Sequence, residues 1–100
     1  MLDRVTMPDP TKVFDVKNLA EWLRKQDPKT TYYYYDTNDC LLERYGKQRW
    51  RLESGWRYAD TYYKESKDCR WISVPHSSTG TYGEALARAE YFLKHGEHHI

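Results

Sequence analysis

The stretch TYGEALARAEYFLK, residues 81–94, carries the strongest secondary-structure signal in the sequence. Thr81 followed by Glu84 is typical of a capping box, in which each side chain accepts a hydrogen bond from the backbone N–H of the other residue. Apolar residues then recur at helical spacing and define one face. That face consists of Tyr82, Ala85, Leu86, Ala89, Phe92 and Leu93. The pattern predicts the longest helix of the chain, running to about Lys94 and ended by Gly96.

A second amphipathic helix is predicted nearer the N-terminus. Asn18 with Glu21 suggests another capping box. The apolar residues Val16, Leu19, Ala20 and Leu23 fall at helical spacing, with Trp22 beside them. Asp27-Pro28 is expected to stop this helix, because the residue before a proline avoids the α conformation.

A tyrosine-rich strand and a short helix are predicted next. Residues 30–35 contain only Thr and Tyr, which suit a pleated surface. Alternation places Tyr33 and Tyr35 on the same face of that strand. A short helix is expected from about Asp39 to Tyr45, ended by Gly46.

The middle of the chain alternates apolar and charged residues, which predicts further strands. The stretch from Arg49 to Tyr58 contains a Ser54-Gly55 turn signal and is interpreted as a β-hairpin. Residues 69–74 predict a third strand, closed by Pro75. The whole pattern predicts an α+β fold, with a small antiparallel sheet of about three or four strands packed against two to three helices.

The chain has 100 residues, which indicates one domain. We expect that domain to span residues 15–95, after an irregular N-terminal arm over residues 1–14 and before a flexible tail over residues 96–100. Pro8 and Pro10 interrupt any regular element in the arm.

Composition limits the classes of protein and the compartment. The net charge of +1 argues against a polycation or an acidic nucleic-acid mimic. The two cysteines cannot build a disulfide scaffold. The sequence shows neither a signal-peptide pattern nor an apolar run of membrane-spanning length. We therefore expect a reduced, cytoplasmic protein with no membrane partner. Ten Tyr and four Trp predict an aromatic surface of the kind found at interfaces. The alternative, which accounts for most of the tyrosines, is that they fill half-buried strand positions.

The segment from Arg44 to Tyr58 is basic and aromatic. Its cations are Arg44, Lys47, Arg49, Arg51 and Arg57, against the single acid Glu53, and its aromatic residues are Tyr45, Trp50, Trp56 and Tyr58. Cations can neutralise phosphates while aromatic rings stack on bases. The alternative is an ordinary half-buried hairpin whose solvent face is cationic, with its charge balanced by nearby acids.

Other polar groups predict structure rather than chemistry. The loop from His76 to Gly83 could attract an anion to a helix start. It lacks the Gly-Lys-Ser/Thr of a P-loop, so turns and capping are expected there. His95, His98 and His99 are expected on a solvated tail.

Cys40 has acidic neighbours, which would raise its pKa, so it is interpreted as a core residue. His76 could approach it only through the fold. No catalytic set, metal site or cofactor site is predicted.

Two stretches carry a resemblance to known proteins. They are DTNDCLLERY, residues 36–45, and TYGEALARA, residues 81–89. Together they resemble short uncharacterised proteins of phages, prophages and α-proteobacteria, in which a similar Cys-Leu helix and a Thr-aromatic-Gly helix start recur. The resemblance implies a mobile-element setting, where small proteins often inhibit host defence, as anti-CRISPR proteins do. It implies no activity of its own.

The leading hypothesis is a non-enzymatic protein-binding domain that inhibits a host complex. The residues predicted to bind the partner are Arg49, Trp50, Arg51, Trp56, Arg57 and Tyr58, together with Tyr33 and Tyr35. The alternative is a nucleic-acid-binding accessory protein that uses the basic aromatic segment. An enzyme built on Cys40 or His76 is a third hypothesis, and self-association through tyrosine-rich strand edges is a fourth. No cofactor is expected.

Overall fold

The computed structural model describes residues 10–61, 69–75 and 79–98. In chain order, the elements are α1 (Pro10–Val13), α2 (Val16–Arg24), β1 (Thr31–Tyr33), α3 (Leu41–Trp50), α4 (Gly55–Thr61), β2 (Thr79–Thr81) and α5 (Tyr82–His95). Residues 69–73 are also helical. The α+β class is confirmed, and α5 is the longest helix, as predicted. Within the described ranges the sheet has two antiparallel strands, so the expected three or four strands are wrong.

Helix α5 has the termini that the sequence predicts. The Thr81 hydroxyl accepts a hydrogen bond from the N–H of Glu84 at 3.2 Å. The Glu84 carboxylate accepts one from the N–H of Thr81 at 2.9 Å, which completes the capping box. At the other end Gly96 has φ 73°, and its N–H donates to the carbonyl of Phe92. Glycine adopts this left-handed conformation without the steric cost that a Cβ atom would bring.

Helix α2 begins differently from the prediction. Its N-cap is Asp15, whose side chain accepts a hydrogen bond from the N–H of Lys17 at 3.0 Å. Asn18 lies inside the helix and its amide donates to the carbonyl of Lys12, so the predicted capping box at Asn18 is wrong. The aspartate lies directly before the first apolar residue of the helix, which is where a capping side chain is needed.

The two strands pair in a fixed register. Thr31, Tyr32 and Tyr33 lie opposite Thr81, Gly80 and Thr79. Tyr32 is fully buried, and a Cβ atom on Gly80 would come within 2.9 Å of its ring, so this position needs glycine. Strand β1 is shorter than predicted because the N–H of Asp36 bonds to the carbonyl of Tyr33 and turns the chain there.

The predicted β-hairpin over Arg49–Tyr58 is wrong, because α3 and α4 occupy this region. Helix α3 continues through Gly46, where it was predicted to end, and stops at Arg51, which has the left-handed conformation (φ 57°). A Cβ atom on Gly46 would lie 2.4 Å from the Cα of Gly55. The glycine therefore allows α3 and α4 to pack closely and does not end a helix.

The predicted third strand is also wrong. Residues 69–73 are helical, with Cys69 and Ile72 buried and Trp71 exposed. A spacing of three residues between the buried side chains fits one face of a helical turn. In so short an apolar segment, the sequence pattern alone does not distinguish a helix from a strand, which explains the misassignment.

The core includes residues from the predicted N-terminal arm. Residues 1–9 of that arm lie outside the described ranges, but Pro10–Val13 form α1, and Val13 and Phe14 are buried. The Tyr45 hydroxyl donates to the carbonyl of Val13, and the Cys69 thiol donates to that of Phe14. Among the described residues, no helix is both long and apolar enough to cross a membrane.

Candidate partner-binding surface

Among the described residues, three aromatic side chains are notably exposed. Tyr33 keeps 53% of its surface in contact with solvent, Tyr35 keeps 77% and Trp71 keeps 51%. Each of them lines at least one of three adjoining depressions, which half-buried Tyr34 and Trp56 and exposed Arg70 also line. We call these residues the aromatic surface, which comprises Tyr33, Tyr34, Tyr35, Trp56, Arg70 and Trp71.

Hydrogen bonds of the chain segment after β1 fix one side of this surface. The N–H of Asp36 donates to the carbonyl of Tyr33, and the N–H of Asp39 donates to that of Asp36 at 2.9 Å. The N–H of Asn38 donates to the Asp36 carboxylate at 2.9 Å. The rings of Tyr34 and Tyr35 lie on this turn with their centroids 4.8 Å apart. The tyrosines are therefore presented by an ordered turn.

The helical residues 69–73 form the other side and are anchored from the core. The Arg88 guanidinium donates to the carbonyl of Ile72 at 2.7 Å, and the Tyr32 hydroxyl donates to that of Ser73 at 2.8 Å. Arg88 also donates to the Tyr32 hydroxyl at 3.1 Å. Burial raises the pKa of Tyr32 to about 12, although Arg88 acts in the opposite direction. Tyr32 therefore remains a neutral donor at physiological pH.

Three depressions run along the aromatic surface and share residues. One of about 300 Å³ lies between Tyr34, Tyr35, Cys40, Leu42, Trp56, Arg70 and Ser73. A second, of about 400 Å³, is lined by Tyr34, Arg70, Trp71 and Val74. The third, of about 520 Å³, is lined by Tyr33, Tyr35, Asp36 and Thr37. Tyr34, Tyr35 and Arg70 each line two of them, so the depressions adjoin one another, and together we call them the groove.

The structure divides the predicted binding residues between different places. Tyr33, Tyr35 and Trp56 belong to the aromatic surface. Trp50 instead donates from its indole nitrogen to the Tyr45 hydroxyl at 2.9 Å. The Arg49 guanidinium lies 4.3 Å from the centroid of the Trp50 ring.

The remaining predicted residues do not continue the groove. The ring of Tyr58 packs against Phe14 with a centroid distance of 5.9 Å. Arg51 and Arg57 are exposed but line none of the three depressions. The basic aromatic segment from Arg44 to Tyr58 therefore lies on α3, on α4 and on the residues between them, and not on a β-hairpin.

Two cations of the basic segment form ion pairs with carboxylates of the same protein. Arg44 forms an ion pair with Asp39 at 2.6 Å and donates to the carbonyl of Thr31 at 2.7 Å. Lys47 lies 3.1 Å from the carboxylate of Glu43. These contacts tie α3 to β1 and to its own first turn.

Glu43 is a buried carboxylate that joins α3 to the start of α4. It accepts hydrogen bonds from the Ser54 hydroxyl at 2.9 Å and from the N–H of Trp56 at 2.8 Å. Burial acts to raise the pKa of Glu43, but the bonds from Trp56, Lys47 and Ser54 outweigh it and hold the pKa below its usual range. The charged Glu43 carboxylate therefore holds the backbone of Trp56, whose side chain lines the groove.

Cysteine and histidine are placed as structural groups. Cys40 lines the groove but is 6% exposed, and its burial raises the pKa of the thiol, which disfavours the reactive thiolate. His98 stacks on Phe92 at 4.5 Å and His95 lies 4.2 Å from the Tyr91 ring. The described residues contain no cluster of three or more potential metal ligands. His76, His99 and residues 76–78 of the polar loop lie outside the described ranges.

Sequence reasoning missed the contribution of Tyr34, Arg70 and Trp71 to the surface. A strand over residues 69–74 would place Arg70 on one face and Trp71 on the other. In the helical conformation, both line the same depression with Tyr34. The aromatic residue Trp71, directly before Ile72, was a signal for this surface in the sequence. Interpreting it required the helical period that residues 69–73 adopt and not the alternating period of a strand.

Comparison with known proteins adds no relative. The chain matches no protein-family model, and searches of curated proteins and of solved structures find no significant match. The chemistry of the aromatic surface is therefore the basis on which a function is assigned.

Proposed function

We propose that this chain is a protein-binding domain whose partner docks on the aromatic surface. The supporting observation is the exposure of three large aromatic rings, Tyr33, Tyr35 and Trp71, which line adjoining depressions. Tyrosine, tryptophan and arginine carry most of the binding energy at protein interfaces. A groove that offers all three matches the composition of a binding hot spot.

Rigidity supports the same proposal. The tyrosine turn is closed by backbone hydrogen bonds, and the segment carrying Trp71 is held by Arg88 and Tyr32 from the core. Side chains with few rotatable bonds on ordered backbone lose little conformational entropy when a partner binds. The surface is therefore suited to binding without a large ordering cost.

The partner is proposed to be part of a host complex that this protein inhibits. This step comes from the resemblance to phage and prophage proteins. Inhibition by occlusion requires no catalytic group on the bound protein, in keeping with the expectation that the chain is not an enzyme. An anti-CRISPR role is tested by adding the purified protein to a reconstituted host nuclease complex and measuring target cleavage.

The docking proposal is tested by affinity capture with matched variants. The test variant carries Tyr35→Ala and Trp71→Ala, and Arg49→Ala is the control because it removes an exposed side chain outside the groove. We expect the double variant to lose capture of the partner by at least tenfold, while the control retains it. Circular dichroism verifies that both variants fold. Loss in the control with retention in the double variant would move the interface to α3.

A further inference from the structure

The end of the groove formed by residues 33–37 combines aromatic rings with a carboxylate. Tyr33, Tyr35, Asp36 and Thr37 line this open depression of about 520 Å³, which we call the tyrosine notch. Both rings are more than half exposed, and Asp36 and Thr37 are exposed as well. Aromatic faces and a carboxylate each attract a cation, so the notch has one electrostatic preference.

Asp36 retains capacity to bind a donor. Its Oδ1 atom accepts the N–H of Asn38 at 2.9 Å. Within the described parts of the chain, its Oδ2 atom accepts no hydrogen bond and the residue forms no ion pair. Asp39, three residues later, differs because Arg44 already pairs with it at 2.6 Å. The same turn therefore carries two different carboxylates. That of Asp39 is ion-paired with Arg44, whereas that of Asp36 forms no ion pair among the described residues.

We propose that the tyrosine notch binds the guanidinium group of an arginine side chain presented by the protein partner. This inference rests on the proposed function and names the chemistry that one end of the groove recognises. A guanidinium is planar, so it can stack on a tyrosine ring while its N–H groups donate to a carboxylate. The Thr37 hydroxyl offers a further acceptor at the edge.

Charge complementarity distinguishes arginine from the other occupants. A carboxylate side chain would meet the Asp36 charge, and an apolar side chain would leave that charge without a partner. An ammonium group is compact and strongly hydrated, and it cannot stack as a plane on Tyr33 or Tyr35. We therefore expect an order of affinity in which arginine exceeds lysine and both exceed a neutral isostere.

The experiment titrates the whole chain with N-acetyl-arginine amide and follows backbone amide signals by NMR. The matched ligands are N-acetyl-lysine amide, carrying a free side-chain amine, and the neutral isostere N-acetyl-citrulline amide. We expect saturable shifts confined to residues 33–37 with the arginine ligand, and affinities at least threefold weaker for the other two. Shifts of equal size with citrulline would overturn the proposal, and equal affinity for lysine would overturn the choice of arginine.

The variant Asp36→Asn provides the second test. Asparagine keeps the side-chain oxygen that accepts the Asn38 N–H, so the turn is retained while the charge is removed. We expect roughly threefold weaker binding of the arginine ligand, the size of effect seen for exposed ion pairs. Glu21→Gln, which removes an exposed carboxylate on α2, should bind as the wild type does. Unchanged affinity in Asp36→Asn would refute the role of the carboxylate.

The two proposals fail in different ways. If Tyr35→Ala with Trp71→Ala abolishes partner capture and Asp36→Asn leaves it unchanged, the docking surface stands and arginine recognition is wrong. If capture is unaffected by the aromatic double variant, the docking surface itself is wrong, whatever the amino-acid ligands do.

Discussion

Single residues connect the aromatic surface to the core, and Glu43 does so with a charge. The Glu43 carboxylate is 2% exposed and receives two hydrogen bonds from the start of α4. Hydrogen bonds to a charged group contribute more than neutral ones, about 1.5–3 kcal/mol each. Breaking this arrangement should therefore weaken the α3–α4 connection and loosen the position of Trp56.

We predict that Glu43→Gln lowers the free energy of unfolding by about 2 kcal/mol at neutral pH. The pKa of Glu43 is lowered in the folded state, so its contribution is present above the pKa of the unfolded chain and is lost as pH falls through the folded value. Urea denaturation at neutral and acidic pH measures the difference between wild type and variant. This difference in the free energy of unfolding should become smaller as the pH is lowered.

The control for this prediction is Ser54→Ala, which removes one of the two donors at the start of α4 and keeps the charge. We expect it to cost about 1.5 kcal/mol, the lower end of the range for a hydrogen bond to a charged group. A difference between Glu43→Gln and wild type that stays constant down to acidic pH would show that the charge of Glu43 does not stabilise the fold.

At the scale of elements, some predictions depended on local signals and others on contacts distant in sequence. The capping box at Thr81 and the glycine that ends α5 involve residues close together in the chain, and sequence reasoning found both. Gly46 was misinterpreted because its role depends on Gly55, which approaches it only after α3 and α4 pack. The groove was missed for the same reason, since its two sides come from residues 33–37 and 69–73.

The role of Gly46 gives a prediction whose sign separates the two interpretations. If the glycine were an open helix position, Gly46→Ala would stabilise the protein by about 1 kcal/mol. A Cβ atom at this position lies 2.4 Å from the Cα of Gly55, so the helices must separate. We expect destabilisation of about 1–3 kcal/mol, as for other overpacked sites.

Thermal or urea unfolding measures this effect, with Gln48→Ala as the control. Gln48 is exposed on the same helix, and alanine is a good helix former, so the control should change stability by less than about 0.5 kcal/mol. Stabilisation by Gly46→Ala would contradict the close contact between α3 and α4.

At the scale of the whole molecule, the same contacts bear on self-association. The outer edge of β1 already has partners, since the N–H of Tyr33 donates to the carbonyl of Asp39 and the carbonyl of Thr31 accepts from Arg44. An edge whose groups are paired is a poor template for another strand. Tyrosine-rich pairing between copies is thus less favoured than the sequence suggested.

The distribution of charge over the molecule gives the last prediction, which concerns nucleic acid. The net charge is +1, and Arg44 and Lys47 are ion-paired within the protein. A protein that neutralises phosphates releases counterions, and its affinity then falls steeply with salt. We expect binding to single- and double-stranded DNA and RNA to be weak at low salt, with a shallow salt dependence.

Fluorescence anisotropy across a salt series measures both the affinity for nucleic acid and its salt dependence. Arg49→Ala and Arg57→Ala should leave the slope unchanged, because few phosphate contacts exist to be lost. A steep slope that each substitution reduces by about one contact would contradict this expectation and favour the nucleic-acid hypothesis over the protein-binding one.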